Sequence, residues 1–169
     1  MSDLLDSATG LLSTTVARWR SLVETAPQDL LRRPPAPGEW SAADCLDHLL
    51  LTEREVFGAR LRAILEGREM VVFDPEAPRD PLPERGAAEA VAALAAERES
   101  NLAILGGLTP DDLERGARHP EYGVLPLRVV LSTWAAHDLQ HTVQAEEALM
   151  QAFLPGTGPF RFRFADHEV

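Results

Sequence analysis

The sequence predicts an all-α protein, a four-helix bundle, and three observations predict it. Four long stretches repeat their apolar side chains at spacings of three and four. Proline and glycine clusters separate these stretches, and strand-like alternation is nearly absent outside the C-terminal tail. A helix of roughly twenty residues is ~30 Å long at 1.5 Å per residue. Four such helices hide their apolar stripes by packing them against one another.

The first stretch runs from Asp3 to Ala26, with Leu5, Ala8, Leu12, Val16, Trp19 and Val23 on one face, and Pro27 ends it. Pro34, Pro35, Pro37 and Gly38 mark a connector from Gln28 to Glu39. The second helix has a sharp start. Ser41 is a good N-cap with Asp44 three residues later, and Trp40 and Cys45 occupy the positions of a hydrophobic staple. Leu46, Leu49, Leu50, Phe57, Leu61 and Ile64 form its buried face, and Gly67 fits a C-terminal glycine.

Arg68 to Pro83, with Pro75, Pro78, Pro81 and Pro83, reads as a crossing loop. The third helix, Glu84 to Leu105, is alanine-rich, with Val91, Leu94, Ala95, Leu102 and Leu105 on one side, and Gly106-Gly107 stops it. Thr109-Pro110-Asp111-Asp112 has the form of a short helical turn with proline in its first position. An irregular stretch comes next. The fourth helix begins near Pro126 and places Val130, Trp134, His137 and His141 at spacings of four, three and four. In the tail, Phe160, Phe162 and Phe164 alternate, as in a short strand or an extended arm.

The chain has 169 residues, 45% hydrophobic and 25% charged, a balance that suits one soluble globular domain spanning 1–169. Its net charge of -11 opposes binding to nucleic acid or to anionic membrane surfaces, both of which need excess Lys and Arg. No apolar run approaches the ~20 residues of a membrane span. Met1 to Leu12 carries Asp3 and Asp6 and no basic segment, unlike a secretory leader. The single cysteine, Cys45, fits a reducing compartment, so the expectation is a cytoplasmic protein.

The chemistry concentrates in "HDLQH", His137 to His141. Side chains at i and i+4 on a helix stand about 5–6 Å apart on one face, close enough for two imidazoles to share a metal ion. Two core histidines with separate hydrogen bonds would give the same pattern. The zinc-protease motif H-E-x-x-H does not apply, because Asp138 stands where its glutamate should and His167 is the only histidine downstream. The best third donor is upstream: His48, at the margin of the second helix's apolar face near Thr52.

"PGEWSAADCLDHLLLTE" (Pro37 to Glu53) and "TWAAHDLQHTVQ" (Thr133 to Gln144), with "RHPEYG" (Arg118 to Gly123) between them, resemble the DinB-like superfamily of metal-binding four-helix bundles. That group includes bacillithiol transferases and, more distantly, mycothiol-dependent enzymes. The resemblance implies that His48, His137 and His141 hold a divalent metal. It also implies an up-down-down-up topology with a long crossover between helices two and three, and a homodimer. Leu51 and Leu65, off the main apolar face of the second helix, widen that helix's apolar arc and agree with a second covering surface.

Three histidines leave coordination positions open, the mark of a catalytic rather than a closed structural site. Cys45, three residues before His48, is either a fourth ligand or a small apolar filler beneath Trp40. Asp138 adjoins His137 and either orients it or faces away toward solvent. Gln144 is either a contact for a metal-bound water or a surface residue. Glu53 and Arg98 interrupt apolar stripes, so they either pair across the bundle or line a pocket and hold a polar substrate or cofactor. His119 and His167 have no partner in the sequence and are expected at the surface.

Three functions fit. One is an S-transferase that presents a low-molecular-weight thiol to a small electrophile, with the protein supplying ligands and no nucleophile. Another is a metal-dependent hydrolase with Glu53 or Asp138 as base. The third is a non-enzymatic metal- or ligand-binding stress protein. Zn, Ni, Fe and Cu all suit three imidazoles.

Overall fold

The computed structural model of the chain describes residues 4–70, 72–73 and 86–167. Helix α1 (Leu4–Thr25) buries Leu5, Ala8, Leu12, Trp19 and Val23 as its spacing requires, together with Thr15, while Val16 is half-buried. The proline-rich connector contains one helical turn, α2 (Gln28–Leu31), whose Leu31 enters the core.

The second long helix has three parts: α3 (Ala42–Thr52), a π-helical turn (Glu53–Phe57) and α4 (Gly58–Glu66). Its start is the expected capping box. The Ser41 hydroxyl accepts the Asp44 N–H at 3.2 Å, and the Asp44 carboxylate accepts the Ser41 N–H at 2.8 Å. Gly67 ends it in the left-handed region, φ 65°. Helix α5 (Ala87–Leu105) is next in the chain; the expected start at Glu84 and the four prolines of the crossing loop lie outside the described residues. A 3-10 turn (Pro110–Glu114) carries a capping box between Thr109 and Asp112.

Beyond that turn the structure departs from two sequence expectations. The stretch read as irregular is a β-hairpin, β1 (Gly116–His119) against β2 (Gly123–Pro126), with Gly123 at φ 72° in the turn. Its strands are too short for alternation to show. The tail after α6 (Leu127–Met150) is not a strand; Leu154–His167 forms 3-10 turns kinked at Gly158. Alternating aromatics make a strand only where a sheet edge supplies hydrogen bonds. The hairpin is the only sheet among the described residues. Phe160 and Phe162 accordingly stay exposed.

Two apolar clusters define the topology. One joins Leu5, Ala8 and Leu12 of α1 to Phe57, Leu61 and Ile64, to Leu105, and to Leu127, Val130 and Trp134. The other joins Trp19 and Val23 to Leu46, Leu49 and Leu50, to Ala90, Val91 and Leu94, and to Ala145 and Leu149. Passing from the first cluster to the second, α1 and α6 advance in sequence while α3–α4 and α5 go backwards. The bundle is therefore up-down-down-up. Helix α1 packs on α5 and α6, and α3 packs on the same two from the other side. This arrangement lays α3 antiparallel to α6 and brings His48 level with His137 and His141.

Between the clusters lies a buried polar layer. Arg98 donates from Nε and Nη2 to both oxygens of Glu53 (2.9 and 2.8 Å) and from Nη1 to Asp138 Oδ2 (2.8 Å) and the Leu12 carbonyl (2.7 Å). Asn101 Nδ2 and Trp134 Nε1 also donate to Glu53, at 2.8 and 3.0 Å. The Glu53 and Arg98 charges that broke the apolar stripes thus form a bridge across the bundle.

Candidate metal centre

The three histidines meet on the seam between α3 and α6. One ring nitrogen from each of His48, His137 and His141 lies within 4.8 Å of the others. His48 Nε2 and His137 Nε2 are 3.1 Å apart. Two nitrogens bound to one cation at about 2.0–2.1 Å, with angles between ~90° and ~110°, stand about 2.8–3.4 Å apart. The observed separation falls in that range.

The second helix supplies His48 from the second turn after its Ser41 cap, and α6 supplies the i, i+4 pair. Packed aromatics hold the rings. The Phe57 ring, at the end of the π turn, contacts His137 at 5.1 Å and stacks on Trp134 at 5.4 Å. Trp40, at the residue before the cap, lies over His48 (4.9 Å) and stacks on His141 (5.6 Å). Expected as a staple onto Cys45, Trp40 covers the imidazoles. Only its place beside the N-cap hinted at this.

The surroundings of His137 and His141 disfavour their charged forms. Burial, reinforced by His141 and His48, pushes the His137 pKa down to about 3. Burial also lowers that of His141, against the opposing effects of Gln144 and Asp138. Neutral imidazoles offer lone pairs. Gln144 Oε1 accepts from His141 Nδ1 at 2.9 Å, which leaves Nε2 unprotonated.

A metal-free arrangement serves these atoms badly. If His48 and His137 share a hydrogen bond through their Nε2 atoms, one must donate to the other. His137 Nδ1 is buried without a partner in either tautomer, and it would stay so with a cation on Nε2. A cation facing the lone pairs removes the need for one Nε2 to donate to the other. The donor set therefore fits a divalent metal.

The remaining candidates fall elsewhere. Asp138, expected toward solvent if not orienting His137, is buried at 2% exposure because α6 is covered on both flanks, and it binds Arg98. Glu53 is 1% exposed, with both oxygens engaged. Arg98 directs its nitrogens to Glu53, Asp138 and Leu12 rather than to a pocket. Cys45 lies in the apolar cluster with Trp19, and burial, aided by Asp44, raises its thiol pKa to about 12, so it is a filler. His119, expected at the surface, is 2% exposed: its Nδ1 accepts the Glu121 N–H, and its Nε2 lies 3.3 Å from Arg60 Nη2. The undetected hairpin buries it. His167 is exposed, 3.4 Å from Glu147.

A family model described as the DinB superfamily matches residues 11–145. Among solved structures, the chain is similar to YfiT from Bacillus subtilis, described as a probable metal-dependent hydrolase with an unusual four-helix bundle topology. That match has 20% identity and a TM-score of 0.77, covering 90% of this chain and 89% of the other. It is also similar to TT2238, described as a four-helix bundle protein, with 22% identity and a TM-score of 0.58, covering 83% of this chain and 98% of the other. The chain matches no curated protein.

Proposed function

The chain belongs to the DinB superfamily, and on that premise we propose that it is a metal-dependent S-transferase that joins a low-molecular-weight thiol to a small electrophile. His48, His137 and His141 would hold the divalent metal, Zn, Ni or Fe. A cation in that set supplies Lewis acidity, lowering the pKa of a thiol at an open position. The sulfur forms a bond to the electrophilic carbon, the leaving group departs with its electron pair, and the thiol proton passes to solvent. The protein supplies no nucleophile. Trp40 limits access of water, and Gln144 keeps His141 aimed.

One observation carries this choice: the two carboxylates beside the site are both bound by Arg98 and removed from solvent. Water-activated hydrolysis calls for a nearby base, whereas a thiol activated by a metal needs none. The description of YfiT as a probable metal-dependent hydrolase supports hydrolysis as the second reading; a binding protein without catalysis is the third. A homodimer belongs to the proposal too. Leu51 is half-buried, and Leu139 and Val143, one turn apart on α6, are 39% and 49% exposed. Light scattering that gives a monomer at micromolar concentration overturns that part.

The test begins with the metal content of protein purified without an affinity tag. Thiol consumption with an electrophilic substrate is then compared with ester hydrolysis, for wild type and His141→Ala. The proposal expects bound divalent metal and thiol transfer, both lost in His141→Ala, with helix content and the apo unfolding midpoint preserved. Hydrolysis without thiol transfer selects the second reading. A large fall in the apo midpoint assigns His141 to the core instead.

A further inference from the structure

The buried polar layer is unbalanced in charge. Glu53 and Asp138 each bring a carboxylate, and the single guanidinium of Arg98 answers both, with all three side chains 1–2% exposed. The other groups that reach Glu53, the Asn101 amide and the Trp134 indole, are neutral. The other arginines of the second helix turn elsewhere: Arg54 pairs with Glu97 at 2.7 Å, Arg60 Nη2 lies 3.3 Å from His119 Nε2, and Arg62 donates to Ser100 Oγ at 3.4 Å. One negative charge is left in excess inside the protein, where an uncompensated charge is strongly disfavoured.

The compensation lies next door. Asp138 adjoins His137 in α6 and precedes His141 by one helical turn. Glu53 opens the π turn that ends in Phe57, the ring packed on His137. Imidazoles bind a metal in their neutral form and so bring no charge to set against a cation, and neither carboxylate belongs to the donor cluster. We propose that the Glu53–Arg98–Asp138 layer is the counter-charge of the metal centre: its excess negative charge favours a divalent cation in a neutral three-histidine set without coordinating it. The inference rests on the reading of the histidines as a metal site. Glu53 and Asp138 are then positioning residues that act through their field, which explains why two carboxylates surround one arginine where a single ion pair would satisfy the fold.

Asp138→Asn and Glu53→Gln test it, since each is close to isosteric, keeps a carbonyl oxygen for Arg98 and makes the layer neutral. Apo wild type and both variants are titrated with Co(II) in competition with a chelator, and the visible absorption is recorded. Each variant is expected to keep the wild-type absorption envelope while its Kd weakens about 10–100-fold, the range for outer partners of metal ligands. A Kd within twofold of wild type in a folded variant overturns the proposal. An altered envelope overturns it as well, because the layer then acts on geometry. Failure of both apo variants to fold, judged by circular dichroism, assigns the layer to the fold alone and also overturns it. A wild-type chain that takes up no Co(II) overturns the metal reading itself, an outcome the variants cannot imitate.

Discussion

His141 Nδ1 stands 2.9 Å from Gln144 Oε1, one turn further along the same helix. An amide oxygen can only accept, so the imidazole proton is held on Nδ1 and Nε2 keeps its lone pair. Partners of this kind fix the tautomer and ring orientation of a metal ligand. Gln144→Ala should therefore weaken divalent binding about tenfold or more, with little change in the apo unfolding midpoint. Gln144→Glu, which retains the acceptor, should bind at least as tightly as wild type. A chelator-competition titration of the three proteins decides it, and equal affinities would remove Gln144 from the site.

The depressed histidines give the metal-free protein a definite pH dependence. His137 takes up a proton near its ordinary pKa of about 6.5 when unfolded but only at about 3 when folded. Between those values the unfolded state binds more protons, so stability rises with pH. His137's contribution is fully present above about pH 6.5 and is lost as pH falls toward about 3. His141 acts in the same direction. Carboxylates also titrate in this window, so the informative quantity is the apo midpoint of wild type minus that of His137→Ala. That difference should fall steadily from pH 7 to pH 4 in thermal melts, and a constant difference would refute the buried, neutral state.

Trp40 covers two of the three imidazoles from a position where it is itself 38% exposed. It can leave without opening either apolar cluster. Trp40→Ala is expected to speed metal loss to an excess of chelator several-fold, while the apo midpoint moves little. Stopped-flow release kinetics measure the first effect and thermal melts the second.

The helices were legible because their apolar stripes recur at helical spacing and their ends carry strong signals, such as Ser41 with Asp44 and Gly67. The histidine trio was legible in part: spacing exposed His137 and His141, while His48, marginal on its own helix, was a candidate that resemblance strengthened. Asp138 was not legible. An apolar stripe marks one buried face, yet α6 packs on both α1 and α3, so its buried arc includes Asp138 and Thr142 beside Trp134 and His141. His119 was hidden by a hairpin in which only Ala117 and His119 are fully buried, too few positions to show a period. The π turn leaves no mark in the spacing either, since Phe57 remains on an apolar face with or without it.

That turn supports the last prediction. Gly58 comes directly after it, and a methyl group there would come within 2.7 Å of the Glu53 carbonyl oxygen, 2.8 Å of Arg62 Nη1 and 2.9 Å of Asn101 Nδ2. The arginine can swing aside, being the end of a flexible side chain. The carbonyl cannot, because it belongs to the turn, and the Asn101 amide is held by its hydrogen bond to Glu53. In an ordinary helix interior, Gly→Ala stabilises by up to about 1 kcal/mol. Here crowding should reverse the sign, and a loss of about 1–3 kcal/mol is expected for Gly58→Ala, the usual range for overpacking. Because the methyl presses on the polar layer and the turn that carries Phe57, metal affinity should fall with stability. Urea unfolding of the apo protein gives the first quantity, and the chelator titration gives the second. An Ala variant as stable as wild type would show that the turn relaxes to a regular helix at no cost.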